Sequence, residues 1–189
     1  LSGKLDNLVI RPSYIVNSKD YISIQTNGSS QFAISNLRII REPSLKSDQG
    51  INTLISLIPY SPFSLPLDIQ NFTLTGLEIV NSSWSLLEAK NISSELQYSQ
   101  LVVILNGGSL QGHRGSLVST SQANNEITIQ NLAILESSTQ IANVRSYLNS
   151  SLYLQNIVIQ DYFSPASDLI YAWGVESNIT RLLCKEYKF

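Results

Sequence analysis

One pattern recurs along this chain and constrains its fold more than any other feature: apolar, any, apolar, any, Asn, apolar, any, apolar. It runs through Phe32-Ala33-Ile34-Ser35-Asn36-Leu37-Arg38-Ile39 and returns as Leu67-Asp68-Ile69-Gln70-Asn71-Phe72-Thr73-Leu74. Two cleaner copies are Ile127-Thr128-Ile129-Gln130-Asn131-Leu132-Ala133-Ile134 and Leu152-Tyr153-Leu154-Gln155-Asn156-Ile157-Val158-Ile159. Partial copies lie at Leu5–Ile10 and Val102–Asn106, and Ile179–Cys184 carries Arg181 in the asparagine slot. The key positions are then 7, 36, 71, 106, 131, 156 and 181, and the last three steps are each 25 residues.

Alternation of period two on both sides of the asparagine predicts two short strands, each with one face inward. The asparagine breaks the alternation, so the chain must bend there for both strands to keep their apolar faces on one interior. A single residue in the left-handed region makes such a bend, and asparagine tolerates that region better than other non-glycine residues. Equivalent amides on successive coils would form a ladder, expected at Asn36, Asn71, Asn131 and Asn156 and expected to be buried. A third apolar stretch precedes the later copies: Leu117-Val118, Ile141-Ala142 with Val144, and Leu169-Ile170.

Three strands in a coil of about 25 residues predict a right-handed parallel β-helix of about seven coils, one domain spanning residues 1–189. Longer steps in the N-terminal half imply loop insertions. The clearest is the run from Pro43 through Pro59, Pro62 and Pro66, because proline removes ladder donors. A leucine-rich repeat fails, since its asparagine has apolar residues at minus five, minus three and plus two. No long segment keeps the stripe of an amphipathic helix.

Charged residues make up only 14% of the 189, with a net charge of −2, so there is no basic field for nucleic acid. No apolar run reaches the length of a membrane span. The chain opens with Leu1 and has no methionine, which predicts a segment of something longer. Cys184 is the single cysteine, so no internal disulfide framework is available. Six Asn-x-Ser/Thr acceptors, Asn27, Asn71, Asn81, Asn91, Asn149 and Asn178, are about twice the number chance would give, and point to the secretory pathway and a cell-surface or extracellular place. Asn71 is the poorest of them if it fills a ladder slot.

The repeated Asn36, Asn71, Asn131 and Asn156 with their aliphatic flanks resemble the pectin-lyase-like superfamily of parallel β-helices, over nearly the whole chain. That superfamily includes polysaccharide lyases, polygalacturonase-like hydrolases, adhesins, phage tailspikes and large repetitive surface proteins of ciliates. Low charge, abundant Ser, Asn and Gln, and irregular insertions look most like the non-enzymatic surface group. The resemblance implies a structural glycoprotein with no cofactor, partnered by its own kind or by neighbouring β-helix segments, with glycans as further partners. Enzymes of the superfamily carry grouped aspartates, or calcium with an arginine base, and this chain has no Asp-Asp pair.

One constellation invites chemistry. Glu136, Asp161 and Glu186 each lie five residues after a key position, on rungs spaced about 4.8 Å. Paired carboxylates near 5 Å suit a retaining glycosidase, and three suit a calcium ion. A solvated turn with splayed side chains is the plainer expectation. His113, the only histidine, sits in Gly107–Gly115, a segment that reads as a turn, with no second histidine for a metal and no Gly-x-Ser-x-Gly for a nucleophile. Cys184 falls in an inward aliphatic slot and reads as a small hydrophobe. Trp84, Trp173 and the tyrosines read as core filling or loop anchors. Neither end shows a capping helix, which predicts continuation of the solenoid or filament formation by end-to-end stacking. Sequence leaves a carbohydrate-binding adhesin and a polysaccharide lyase or hydrolase as the alternatives to a scaffold.

Overall fold

The computed structural model describes residues 2–11, 20–26, 30–40, 53–59, 69–89, 100–120, 124–163 and 168–188. All regular structure in them is strand: β1 Ser2–Asp6, β2 Val9–Ile10, β3 Asp20–Thr26, β4 Ser30–Ile40, β5 Thr53–Pro59, β6 Ile69–Val80, β7 Ser85–Ala89, β8 Gln100–Gln111, β9 Ser116–Thr120, β10 Asn125–Leu135, β11 Gln140–Phe163 and β12 Ile170–Lys188. Every pairing is parallel, and none joins sequence neighbours by a hairpin. The chain is a parallel β-solenoid, the predicted fold class. One line of rungs runs β1-β4-β6-β8-β10-β11-β12 and another runs β3-β5-β7-β9-β11-β12. About four turns, those of β4 and β5, β6 and β7, β8 and β9, and β10 with the start of β11, have a neighbour above and below on both lines. That is fewer than the seven coils expected.

The interior consists of aliphatic columns. Leu5, Ile34, Leu74, Leu105, Ile129, Leu154 and Ile179 stand in register. On the third wall Ile22, Ile55, Leu87, Val118, Ala142 and Ile170 do the same. Each residue therefore packs on a like residue one rung away, which fixes the register.

The bend works as the pattern predicts. Asn7, Asn36, Asn131, Asn156 and Arg181 have φ between 53° and 58°. The ladder, however, is not the one expected. Asn71 is extended and pairs with Gln31 and Val102, while Gly76 (φ 67°) occupies the slot beside Asn36. Glycine reaches the left-handed region without steric cost, and a Cβ at Gly76 would lie 2.7 Å from Asn36 Oδ1. The true repeat there is Phe72-Thr73-Leu74-Thr75-Gly76-Leu77-Glu78-Ile79, displaced by five residues. On the next rung Gly107 (φ 77°) takes the bend, one position after Asn106.

Amide bonds still run between rungs. Asn156 Nδ2 donates to Asn131 Oδ1 (3.0 Å), Asn131 Nδ2 to Asn106 Oδ1 (2.9 Å), and Asn36 Nδ2 to Asn7 Oδ1 (3.1 Å). These amides line an outer corner at the surface, not the buried ladder expected; Asn7, Asn36 and Asn131 are exposed and Asn156 half-buried.

The proline run also needs correction. Thr53–Pro59 is strand β5, with Leu54, Ile55 and Leu57 buried on the third wall. Pro59 is its last residue, where a missing N–H does least harm to the ladder. Pro43, Pro62 and Pro66 lie outside the described residues. Likewise, Gly107–Gln111 is strand in β8 and not a turn.

Asn131→Ala should lower stability by about 1–2 kcal/mol, through left-handed strain and two lost amide bonds, with Asn131→Gly losing less. Urea denaturation of the two variants beside the parent checks this; equal losses would contradict the backbone account.

Candidate functional site

A second left-handed corner follows the first by about five residues. Asn81 (φ 55°), Gly112 (φ 63°), Glu136 (φ 46°) and Asp161 (φ 51°) hold it on successive rungs. Backbone bonds join them into one column: Asn81 N donates to Gln111 O (2.8 Å), Gly112 N to Leu135 O (3.1 Å) and Glu136 N to Gln160 O (3.0 Å). The two carboxylates singled out by spacing thus sit on neighbouring rungs, as the repeat predicts. Each meets a glutamine. Gln111 Nε2 donates to Glu136 Oε2 (3.1 Å), and Gln160 Nε2 approaches Asp161 Oδ2 at 3.4 Å. The side chain of Glu186 lies outside the described residues. Among those described, no group of three His, Cys, Asp or Glu residues is arranged to hold a metal.

Immediately after this corner the chain turns polar side chains inward. Ser82, His113, Ser137 and Tyr162 follow Asn81, Gly112, Glu136 and Asp161, and all four are buried. Alternation breaks at a bend, so backbone groups there need partners the ladder cannot supply. The polar side chains provide them. His113 N donates to Ser137 Oγ (3.1 Å), Ser137 Oγ donates to Leu135 O (2.6 Å), and Tyr162 OH donates to Thr139 O (3.0 Å). The His113 carbonyl accepts from Ser138 N (3.0 Å) and Thr139 Oγ1 (3.2 Å). The third bend has a similar cluster. Thr120 Oγ1 donates to Asn125 Oδ1 (3.1 Å), Asn125 N to Ser150 Oγ (2.7 Å), and Ser150 Oγ to Ser146 Oγ (2.6 Å).

For His113 the sequence gives the position but not the burial. The residue is fully buried, and neither Nδ1 nor Nε2 has a hydrogen-bond partner. Loss of hydration pulls the imidazole down from 6.5 to about 4, against a weaker upward pull from the Ser82 carbonyl. That carbonyl already accepts from Arg114 N (2.8 Å) and completes no bond with the ring. Ser137 gives its proton to a backbone carbonyl, so it does not form a serine–histidine pair. The only signal in the sequence was Gly112, which marks a corner and so places its successor inward.

The acceptor asparagines divide. Asn81 is exposed at the second corner, and Asn178 is exposed on β12, accepting from Thr180 Oγ1 (3.2 Å). Asn71 is half-buried on a strand. Its ladder slot was the reason to rank it last, and that reason falls with the slot. Asn27 and Asn91 lie outside the described residues, as does the side chain of Asn149. Trp84 is buried in the core, and Trp173 is exposed. Cys184 stands in the inward column beside Ile159 but is exposed. On the outward column of the second wall Arg38 forks onto Glu78 (2.6 and 3.3 Å), followed by Ser109, Ala133, Val158 and Leu183. No helix among the described residues is long and apolar enough to cross a membrane. Comparison with family models, curated proteins and solved structures finds no match to this chain.

The buried histidine predicts acid sensitivity. The folded chain binds a proton less readily at His113 than the unfolded chain does. Its contribution is therefore complete above about pH 6.5, shrinks as pH falls, and is lost by about pH 4, a total of about 3 kcal/mol. Denaturation curves between pH 7 and 4 should show a shallower decline for His113→Leu than for the parent. Identical declines would assign the acid sensitivity elsewhere.

Proposed function

We propose that this chain is a structural, non-catalytic glycoprotein of a cell surface or extracellular matrix, a pectin-lyase-like β-helix that associates with other β-helix segments. The observation that supports this reading is the outer surface of the repeat. Its corners are amides and glutamine-bound carboxylates, and acceptors Asn81 and Asn178 stand exposed on it. A polysaccharide lyase or hydrolase needs converging carboxylates with an acid, base or metal beside them. Glu136 and Asp161 adjoin on one corner and favour that second reading, but each is engaged by a glutamine. Exposed Tyr153 and Trp173 suit the adhesin variant of the scaffold, since aromatic faces stack on sugars.

Expression through a eukaryotic secretory pathway should add glycan mass that enzymatic deglycosylation removes. Asn81→Gln and Asn178→Gln should each remove one glycan by intact-mass measurement. Incubation with acidic and neutral polysaccharides should release neither unsaturated nor reducing ends. Turnover abolished by Glu136→Gln or Asp161→Asn would replace the scaffold with the enzyme.

A further inference from the structure

His113 stands at the contact between two turns in the middle of the coil. Residues 81–84 link β6 to β7, residues 112–115 link β8 to β9, and the two links lie one on the other. Asn81 N donates to Gln111 O and Arg114 N to Ser82 O, each at 2.8 Å. The backbones pass so closely that a Cβ at Gly115 would collide with the Trp84 carbonyl. Three buried polar atoms have no hydrogen-bond partner here: Ser83 Oγ and both ring nitrogens of His113. Trp84, Leu110 and Leu117, next along the same turns, are core residues.

We infer that the contact between 81–84 and 112–115 is an acid-labile joint, which opens locally when His113 takes a proton while the other rungs stay paired. A protonated imidazole has two N–H donors, and the pull toward charge on this ring comes from the Ser82 carbonyl. That carbonyl already accepts from Arg114 N. To carry charge, the ring must take the carbonyl from Arg114 or swing out to water, and both routes part 112–115 from 81–84. The turn on the other side holds more firmly. Gly112 N donates to Leu135 O and Ser138 N to His113 O, and the hydroxyls of Ser137 and Thr139 also bond to the His113 backbone. The break therefore falls toward Ser82. Among the described residues, the titratable groups flanking the ring on the adjoining elements are Glu78, Glu88, Arg114, Glu136, Asp161 and Tyr162. None bonds to it. Glu78 holds Arg38, Glu88 accepts from Thr53, Glu136 accepts from Gln111, and Tyr162 OH donates to Thr139 O.

Turns of a solenoid touch only their neighbours, so a loss at one interface stays there and need not unfold the whole coil. The imidazole drops from 6.5 when hydrated to about 4 when enclosed, which makes the open joint on the order of a hundredfold more populated at pH 4 than at pH 7. The joint belongs to the coil interior and holds whatever the outer surface binds.

Amide hydrogen exchange on the whole chain between pH 7 and 4, corrected for its intrinsic pH dependence, tests this. In the parent, the amides of Asn81 and Arg114 should lose protection first, by roughly a hundredfold. Those of Gly112, Ser138 and residues 127–134 should keep theirs, and a return to pH 7 should restore the rest. His113→Gln and His113→Leu, neither able to take a proton, should leave Asn81 and Arg114 protected at pH 4. Uniform loss along all turns, unchanged protection at Arg114 in the parent, or the same local loss in folded His113→Gln overturns the inference. Where neither variant folds, the exchange map of the parent decides by the first two of these outcomes.

Discussion

A chain that winds past the same walls must change direction at each corner without breaking the hydrogen-bonded ladder. Here one residue per corner enters the left-handed region, and everything else in the solenoid follows from where those residues fall. Asn36, Gly76, Gly107, Asn131 and Asn156 set one edge; Asn81, Gly112, Glu136 and Asp161 set the next. Between corners the strands are too short to do anything but alternate, so the identity of each inward residue is decided by its distance from a bend. The aliphatic columns are a product of corner spacing as much as of hydrophobicity.

The same logic accounts for the polar interior. A residue just past a corner points inward, while its neighbours' backbone groups have left the regular ladder. Ser137 and Thr139 answer that need with hydroxyls that bond to backbone. His113 occupies the equivalent position without any ring partner, so its imidazole is tolerated only while neutral. Its burial is a consequence of position, and its chemistry is that of a core residue carrying a titratable liability.

Much of this was legible beforehand, because period-two alternation and a left-handed residue are both local. The cleanest copies, around Asn131 and Asn156, gave the strands and the bend correctly. Asn71 misled because its flanks imitate the motif, while Gly76 performs the bend and leaves no amide to notice. The strand within the proline run was hidden because Pro59 ends β5 and does not interrupt it. Glu136 and Asp161 were placed on adjacent rungs by counting, but Gln111, the partner of Glu136, comes from a neighbouring coil and could not be counted, whereas Gln160 simply precedes Asp161. His113 was read as part of a turn since glycine-rich composition suggests loops, whereas Gly107 and Gly112 are corners bounding a strand.

The parallel ladder also governs how the molecule bears load. Its hydrogen bonds lie along the long axis, so tension applied there separates rungs one at a time and never shears a whole sheet at once. Equivalent asparagines lie 25 residues apart in the regular turns. Each turn released therefore yields roughly 80 Å of slack in place of about 4.8 Å of height. Under pulling, such a body pays out length in discrete increments at modest force, and behaves as an extensible spring instead of a stiff strut.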